Sequence, residues 1–196
     1  MVDNDRKKGD GLMKWLVASD IHGSEFYCKK LLEAYAREQA DRLLLLGDIL
    51  YHGPRNDLPK GYAPKQVIVL LNEYKEDIVC VRGNCDTEVD QMVLEFPILA
   101  DYCVIDLGEQ LVYVTHGHIY GEQNPPLLHK GDILLCGHTH IPKCVQYETF
   151  TYMNPGSVSI PKEHSHHGYM IIENGEFVWK DFDGNEKMKW RKKDGN

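Results

Sequence analysis

Residue types that bind metal ions follow five short apolar stretches of this chain, at the point where each stretch ends. LVAS leads to Asp20 and His22, and LLLL leads to Gly47 and Asp48. A short apolar stretch bounded by a polar turn is typical of a buried strand that ends at a loop. Functional groups gather where the carboxyl ends of such strands meet in an α/β sheet, so we expect these residues to converge. The other three stretches lead to Asn84, to His116 and His118, and to His138 and His140.

The ligand types indicate a pair of divalent metal ions. Carboxylate oxygens and imidazoles, without clustered thiolates, favour Mn, Fe, Zn or Ni over a soft metal. Two cations about 3.5–4 Å apart need a bridging ligand, and a carboxylate suits that role. Such a pair activates a bridging water as hydroxide and clamps the phosphoryl oxygens during an in-line displacement. The sequence therefore predicts a metal-dependent hydrolase.

The local spacing predicts how the ligands are presented. Asp20 and His22 are two residues apart, and in extended chain such side chains point the same way. His138 and His140 repeat this spacing. Gly47 lacks a Cβ and allows a tight turn directly before Asp48.

Helical patterns alternate with the strands in the first half of the chain. Ser24 is a plausible N-cap for a helix to about Ala40, whose apolar positions recur at helical spacing. Pro64 suits the first turn of a second helix to about Glu76. The intervening loop over 51–62 is long, and such loops inside compact domains are usually functional. The predicted strands of this half cover 14–19, 42–46 and 78–81.

After Asp101 the pattern changes to short strands joined by turns, with hairpin signals at 173–176 and 183–185. Early helices and late antiparallel strands imply two packed sheets with helices outside. The predicted strands of this half cover 102–106, 110–115, 133–136, 143–148, 151–154, 169–173 and 177–182.

Length and composition favour a single domain of a compact enzyme. We assign the 196-residue chain one domain over 13–196 and interpret 1–12, which is polar and aperiodic, as an extension without function. The net charge of −8 argues against a broad surface for nucleic acid or anionic membrane. No apolar stretch reaches the length of a membrane span. The six cysteines form no CxxC pair, so we expect free thiols and a reduced, cytoplasmic setting.

The ordered motifs resemble those of the calcineurin-like metallophosphoesterases. They read Asp-x-His, Gly-Asp, Gly-Asn-x-Asp, His-Gly-His and Gly-His-x-His, and the stretches SDIHGS, LGDILYHGPRN, VRGNCD, THGH and NPGSVSIPK are similar to small bacterial phosphodiesterases of that family. The resemblance covers roughly residues 13–175 and implies a four-layer α/β/β/α sandwich of two mixed sheets. It also implies two metal sites that share Asp48 as the bridge, with Mn the expected metal. One site would comprise Asp20, His22, Asp48 and His140, and the other Asp48, Asn84, His116 and His138.

One residue departs from the pattern of the wider family. Most members carry His after the Gly-Asn pair, where it is thought to assist phosphate binding or protonation of the leaving group, and here the residue is Cys85. A thiol is a poorer acid near neutral pH than an imidazolium, because its pKa lies near 8.5 rather than 6.5. We therefore predict a preference for activated diesters over alkyl monoesters. The alternative is that Cys85 only packs beside the metals.

Four further residues are candidates for roles around the metals. His118 is a candidate to orient a ligand or contact phosphate, or else a turn residue. Asp86 is a candidate to act within the site, or else shapes the turn. His52 and Arg55 follow Asp48 in the long loop and are both candidates to bind phosphate; Arg55 is suited to clamp a phosphate oxygen, unless it is a solvated loop charge.

Three functions remain open at this level. The first is a two-metal phosphodiesterase that acts on a small-molecule substrate. The second is a non-catalytic interaction scaffold on the same fold, and the third is a phosphomonoesterase or protein phosphatase. The intact ligand set argues against the scaffold. Apolar residues in the long loop and the late hairpins also suggest a homo-oligomer.

Overall fold

The first half of the protein alternates strands and helices, as the sequence predicts. The structure, a computed structural model, describes residues 13–108 and 110–192. The Ser24 hydroxyl caps the first helix by accepting a hydrogen bond from the Tyr27 amide at 3.2 Å, and Pro64 opens the second helix. The elements of this half are β1 (Trp15–Ala18), α1 (Glu25–Glu38), β2 (Arg42–Leu45), α2 (Pro64–Asn72), β3 (Ile78–Cys80) and α3 (Glu88–Gln91).

The second half consists of strands joined by turns and loops. The predicted hairpin turn at 173–176 joins β9 to β10, with Asn174 and Gly175 both at positive φ, as such a two-residue turn requires. The strands of this half are β4 (Cys103–Asp106), β5 (Leu111–Val114), β6 (Asp132–Leu135), β7 (Lys143–Gln146), β8 (Phe150–Asn154), β9 (Gly168–Glu173), β10 (Glu176–Asp181) and β11 (Glu186–Arg191).

The strands form two mixed sheets. One has six strands in the order β11-β10-β9-β1-β2-β3, and the other has five in the order β4-β5-β6-β8-β7. In the first sheet β1, β2 and β3 are parallel. In the second sheet β5, β6 and β8 are parallel. Each sheet thus contributes three parallel strands whose carboxyl ends open into loops at the same edge.

The core follows from the alternation of apolar side chains in these strands. Leu16 of β1 and Leu43 of β2 face α1 and α2, whereas Val17 and Leu44 face the second sheet. Val112 of β5 lies on the other side of that layer between the sheets. Both faces of the central strands are buried, which explains why their sequences read as continuous apolar stretches.

The predicted class of fold, with two mixed sheets and helices outside, is confirmed. Helices α1 and α2 cover the first sheet. The outer face of the second sheet packs against Leu128 of the connecting segment 117–130, which contains no helix in its described residues.

Two elements were not predicted, the short helix α3 and the edge strand β11. The predicted extension over 1–12 lies outside the described residues. None of the helices in the described part of the chain has the length and apolar character needed to cross a membrane.

Candidate metal centre

The loops after the parallel strands of both sheets meet and bond to one another. The Asp20 amide donates to the Gly47 carbonyl at 3.1 Å, and the His22 amide donates to the Asp48 carbonyl at 2.9 Å. Between the sheets, the His138 amide donates to Asp20 Oδ2 at 3.1 Å. All the predicted metal ligands therefore lie on one edge of the two-sheet core, as the positions of the strands require.

The backbone at five of the seven predicted ligands is in the left-handed region. The φ angles are 61° at Asp20, 49° at His22, 54° at Asp48, 66° at His138 and 63° at His140. The prediction that Asp20 and His22 lie in extended chain, and that His138 and His140 repeat this, is therefore wrong. The side chains converge by another route, because each loop turns sharply at the ligand itself. Positive φ is uncommon outside glycine, and such strain concentrates at functional sites.

Three of the ligands form a tightly buried group that we call the inner half: Asp20, His22 and His140. His22 Nε2 lies 3.5 Å from Asp20 Oδ1, and His140 Nε2 lies 3.2 Å from the same oxygen. The two Nε2 atoms are 3.3 Å apart. His22 Nδ1 pairs with the Tyr51 carbonyl and His140 Nδ1 with the Ile160 carbonyl, both at 2.7 Å. Each Nδ1 therefore donates its proton to a carbonyl, which leaves both Nε2 lone pairs directed at the same point.

The inner half fits a divalent cation. Asp20 Oδ1 is fully buried and accepts no conventional hydrogen bond within the described structure. Two imidazole lone pairs and a carboxylate oxygen directed at one buried point repel each other unless a positive charge lies between them. This donor set is also the set that borderline divalent metals prefer.

The remaining ligands form what we call the outer half: Asn84, His116 and His138. His116 Nε2 lies 3.1 Å from Asn84 Oδ1, and its Nδ1 pairs with the Leu46 carbonyl at 2.5 Å. The ring of His138 lies 5.1 Å from that of His116. Asn84 is exposed and His138 is half-buried, whereas His116 is fully buried. The outer half is thus fixed to the core through His116, whereas its Asn84 faces solvent.

Asp48 lies between the two halves. Its Oδ2 is 3.7 Å from His22 Nε2 and 3.5 Å from His116 Nε2, and its Oδ1 accepts the Cys85 amide at 2.8 Å. Gly83 packs so closely that a Cβ there would overlap the Asp48 carboxylate. The placement is the one that a ligand shared by two cations requires.

The electrostatics of the cluster favour bound positive charge. Burial alone would raise the pKa of Asp20, but the close approach of the His140 and His22 imidazoles holds it well below its usual range. Burial also lowers the pKa of His116, but its bond with Asp48 and the charges of Asp20 and Asp48 raise the value to about 9. Burial lowers the pKa of His138 to about 4, and the nearby His116 adds to this shift. Two buried carboxylates thus remain anionic and face the centre.

Asp86 holds the loops around Asp48. Its carboxylate accepts hydrogen bonds from the amides of Asp48 at 2.8 Å, Ile49 at 2.9 Å and Gly83 at 2.7 Å. The side chain is 1% exposed. Its oxygens are thus directed at backbone amides in the loops after β2 and β3.

Cys85 lies beside the ligands. Its Sγ belongs to a group with the ligand atoms of His22 and Asp48, all within 4.8 Å of one another. Burial, followed by the charge of Asp48, raises the pKa of Cys85 to about 12. Burial and the neighbouring carboxylate thus both favour the neutral thiol.

The other candidates divide between the cleft and its surroundings. Arg55 lines a cleft of about 390 Å³ over the centre, together with Lys162. His52 instead packs edge-on between Tyr51 and Tyr62. His118 is exposed, with its ring 5.4 Å from that of His116.

Several supporting residues were missed in the sequence analysis. Ser19 Oγ donates to Asp20 Oδ2 at 2.6 Å, and Ser157 and Ser159 each donate a hydroxyl to the Asp20 carbonyl at 3.0 Å. The cleft residue Lys162 was also missed. The available signals were NPGSVSIPK, in which the sequence predicts a ligand-supporting loop over 154–157 without roles for the serine hydroxyls, and Ser19 directly before Asp20 in SDIHGS.

The two-sheet fold and the ligand cluster together define a metallophosphoesterase. Residues 13–176 match the calcineurin-like phosphoesterase superfamily domain, and the chain belongs to that superfamily. The predicted resemblance is confirmed.

Individual relatives agree with this placement. The chain is 48% identical over 163 residues to Phosphodiesterase YfcE of Escherichia coli strain K12, a match that covers 83% of this chain and 89% of the relative. The solved structure of the E. coli phosphoesterase Yfce superposes with a TM-score of 0.88 at 44% identity, over 91% of this chain and 98% of that one. Vacuolar Protein Sorting 29 from Cryptosporidium parvum superposes with a TM-score of 0.60 at 17% identity, over 93% and 100% of the chains, which shows a shared fold alone.

Proposed function

We propose that this protein is a two-metal phosphodiesterase that hydrolyses a small-molecule phosphodiester by in-line displacement. The observation that carries the proposal is the convergence of the inner half, Asp48 and the outer half at one edge of the two sheets. The similarity to a phosphodiesterase over most of both chains supports the same reaction class. The substrate would be a diester, and a monoester would be its product.

The chain's own residues would divide the work as follows. Asp20, His22 and His140 would hold one divalent cation, and Asn84, His116 and His138 the other, with Asp48 shared. When bound, the cations supply a nucleophile from water near neutral pH and neutralise charge on the phosphoryl oxygens. The carbonyls of Tyr51, Leu46 and Ile160 fix three imidazoles with Nε2 facing inward.

Two cationic side chains would bind the substrate's phosphate. Arg55 and Lys162 both line the cleft above Asp48 and Asn84. Arg55 can donate two parallel hydrogen bonds to the diester oxygens, and Lys162 adds a point charge from the opposite loop. His118 would act at the outer edge, near His116, whereas His52 would support the loop through its contacts with Tyr51 and Tyr62.

Cys85 supports the preference for activated diesters. A thiol, whose ordinary pKa lies near 8.5, is a poorer proton donor near neutral pH than an imidazolium would be in the same place. A leaving group that is stable as an anion needs no such proton. We therefore propose that aryl esters are cleaved faster than alkyl esters, and that Cys85→His narrows this difference.

The ligand types, the net charge and the free cysteines support further parts of the proposal. We propose Mn as the metal, with Fe, Zn or Ni as substitutes that suit the same ligands. The net charge of −8 argues against a nucleic-acid substrate. All six cysteines are free, which suits a reducing cytoplasm. We also propose one catalytic domain over 13–196 that associates as a homo-oligomer.

Metal reconstitution tests the proposed function. Metal-stripped protein would be resupplied separately with Mn, Ni, Zn or Mg and assayed on bis-p-nitrophenyl phosphate and p-nitrophenyl phosphate. We expect metal-restored cleavage of the diester with little cleavage of the monoester. A preference for the monoester would overturn the diesterase and keep the metal centre. Stoichiometric metal binding without cleavage of either ester would instead favour a scaffold.

A further inference from the structure

A second cavity opens directly beside the metal cleft and differs from it in chemistry. The metal cleft is lined by charged and polar groups, among them Arg55 and Lys162. The second cavity, which we call the apolar cavity, has a volume of about 420 Å³. Its lining is mainly aromatic and aliphatic and includes Tyr51, Tyr62, Ile68, Val89 and Val93, and its charged members are Lys65 and Asp90.

Cys85 forms a wall common to both spaces. It lines the metal cleft on one side and the apolar cavity on the other. Its Sγ is also within 4.8 Å of the ligand atoms of His22 and Asp48. A phosphorus atom held at the metal centre therefore has the apolar cavity as its neighbour across a single side chain.

We propose that the apolar cavity binds an aromatic ester group of the phosphodiester whose phosphate lies at the metal centre. This inference rests on the proposed function and extends it to a class of substrate. A diester carries two substituents on one phosphate, so one of them can enter the apolar cavity while the other remains in the charged cleft. An apolar cavity of about 150 Å³ already holds benzene, so the available volume accommodates a substituted ring.

The rings that line the apolar cavity are suited to an aromatic guest. Tyr51 and Tyr62 both contact His52 edge-on, with ring centroids 4.8 Å and 5.2 Å from it, so the three rings brace one another. Rigid aromatic walls lose little conformational freedom when a ligand binds and offer faces and edges for stacking. Opposite them, Val89 and Val93 present aliphatic surface from the segment around α3.

Cys85 acquires a positional role from this geometry. A thiol is small and weakly polar, so it separates the two spaces without placing a charge or a strong hydrogen-bonding group at the entrance. An imidazole in the same position would be larger and polar. We infer that the small Cys85 side chain leaves room for the ester group to extend past the thiol from the phosphate into the apolar cavity, a property separate from its weakness as an acid.

The binding of two phosphonates tests this assignment. Phenylphosphonate and methylphosphonate share a head group and differ only in the apolar substituent. Calorimetry on the Mn-loaded protein would give both dissociation constants, and we expect phenylphosphonate to bind at least about tenfold more tightly. Val89→Asp should reduce this ratio to about twofold, because it replaces aliphatic lining with a second carboxylate beside Asp90.

A matched variant controls for charge and for folding. Met92→Asp adds the same charge three residues away, at a side chain that is 82% exposed and lies outside the cavity lining, whereas Val89 is 69% exposed and lines it. We expect Met92→Asp to keep the wild-type ratio. Methyl-labelled valine spectra of the Zn-loaded protein provide a second readout, in which phenylphosphonate but not methylphosphonate should shift the Val89 and Val93 signals.

The outcomes separate the inference from the function on which it rests. Equal binding of both phosphonates, or an unchanged ratio in Val89→Asp, would overturn the apolar cavity as a subsite while diester cleavage continues. If the wild-type protein binds both phosphonates equally and Val89→Asp dissociates an oligomer, the surface is an interface between copies and the inference is wrong. Absence of diester cleavage with every metal would overturn the proposed function itself.

Discussion

The inner and outer halves of the candidate metal centre differ in burial and in how firmly their side chains are held. In the inner half, Asp20, His22 and His140 are at most 3% exposed, and the two imidazole Nε2 atoms lie 3.3 Å apart. Both rings are fixed by backbone carbonyls. In the outer half only His116 is fixed in this way, whereas Asn84 is exposed.

The difference indicates a division of labour between the two sides of one centre. A ligand set that is rigid and dry before metal arrives loses little entropy on binding, so the inner half should bind its cation more tightly. Asn84 and His138 of the outer half line the cleft with Arg55 and Lys162 and can adjust to a substrate oxygen, whereas His140 is the one inner-half residue that lines it. Substitutions that affect both halves, one half or neither should therefore reduce metal binding and activity by successively smaller amounts.

The largest effect is expected from Asp48→Asn, which strikes both halves. Asp48 Oδ2 faces His22 and His116 at 3.7 and 3.5 Å, and an amide cannot supply the charge that two cations share. We expect diester cleavage to fall by roughly 10³-fold or more, about 4 kcal/mol of transition-state stabilisation. Steady-state kinetics and elemental analysis of metal content would measure both losses. Full activity with two metals per chain would show that Asp48 is not shared.

Next in size is the contrast between His140→Ala and Asn84→Ala. Removing Asn84 should weaken one cation by at least about 100-fold and leave the inner cation in place. Removing His140 should weaken the tighter site, because it takes away one of the three buried ligands that meet at Asp20 Oδ1. Calorimetric titration of the metal-stripped variants would separate the two affinities. Equal losses in both variants would contradict the distinction between the halves.

The sequence carried more information about the ligands than about their backbone. The ligand types and their positions after apolar stretches were sufficient to place Asp20, Asp48 and His116 at one edge. The left-handed backbone at Asp20, His22, Asp48, His138 and His140 was not predicted, because Asp and His adopt positive φ more often than most residues but still uncommonly, so their identities alone do not indicate it. Contacts made by the folded structure impose it, such as the Asp20 and His22 amides bonded to the loop after β2.

The same limit explains the two missed elements. Strand β11 is rich in Lys and Arg and therefore lacks the apolar pattern by which a strand is predicted. Its pairing with β10 stabilises it at the sheet edge. Helix α3 is only four residues long and is set by a capping box between Thr87 and Asp90. Long apolar elements can be predicted from the sequence, whereas the formation of short or charged elements depends on contacts with neighbouring segments that the sequence does not reveal.

Asp86→Asn should reduce stability and activity by an intermediate amount, because Asp86 supports the loop that carries Asp48 and is not itself a predicted metal ligand. The Asp86 carboxylate accepts three backbone amides, and a carboxamide would direct its own N–H groups at one or more of them. We expect a loss of about 1–3 kcal/mol in the free energy of unfolding and a tenfold to hundredfold decrease, roughly, in activity. Denaturant titration and kinetics would measure these losses. The exposed Asp57→Asn serves as the matched control and should change neither quantity.

The smallest effect is expected far from the metals, at Glu38 on α1. Its carboxylate accepts hydrogen bonds from Tyr169 Oη at 2.8 Å and from Lys180 Nζ at 2.9 and 3.0 Å. Burial would raise the pKa of Glu38, but the bonds from Lys180 and Tyr169 outweigh it and lower the pKa from 4.5. We expect Glu38→Gln to lose about 1 kcal/mol of stability at neutral pH and to leave diester cleavage unchanged.

The pH dependence gives this prediction its sign. A carboxyl group with a lowered pKa in the folded state stabilises the protein above its unfolded value of about 4.5, and the stabilisation disappears as pH falls through the folded value. The difference in unfolding free energy between wild type and Glu38→Gln should therefore shrink as the solution is acidified. The exposed Glu33→Gln on the same helix should show no such difference at any pH. A gap that stays constant into acid would mean that packing, and not the charge of Glu38, joins α1 to β9 and β10.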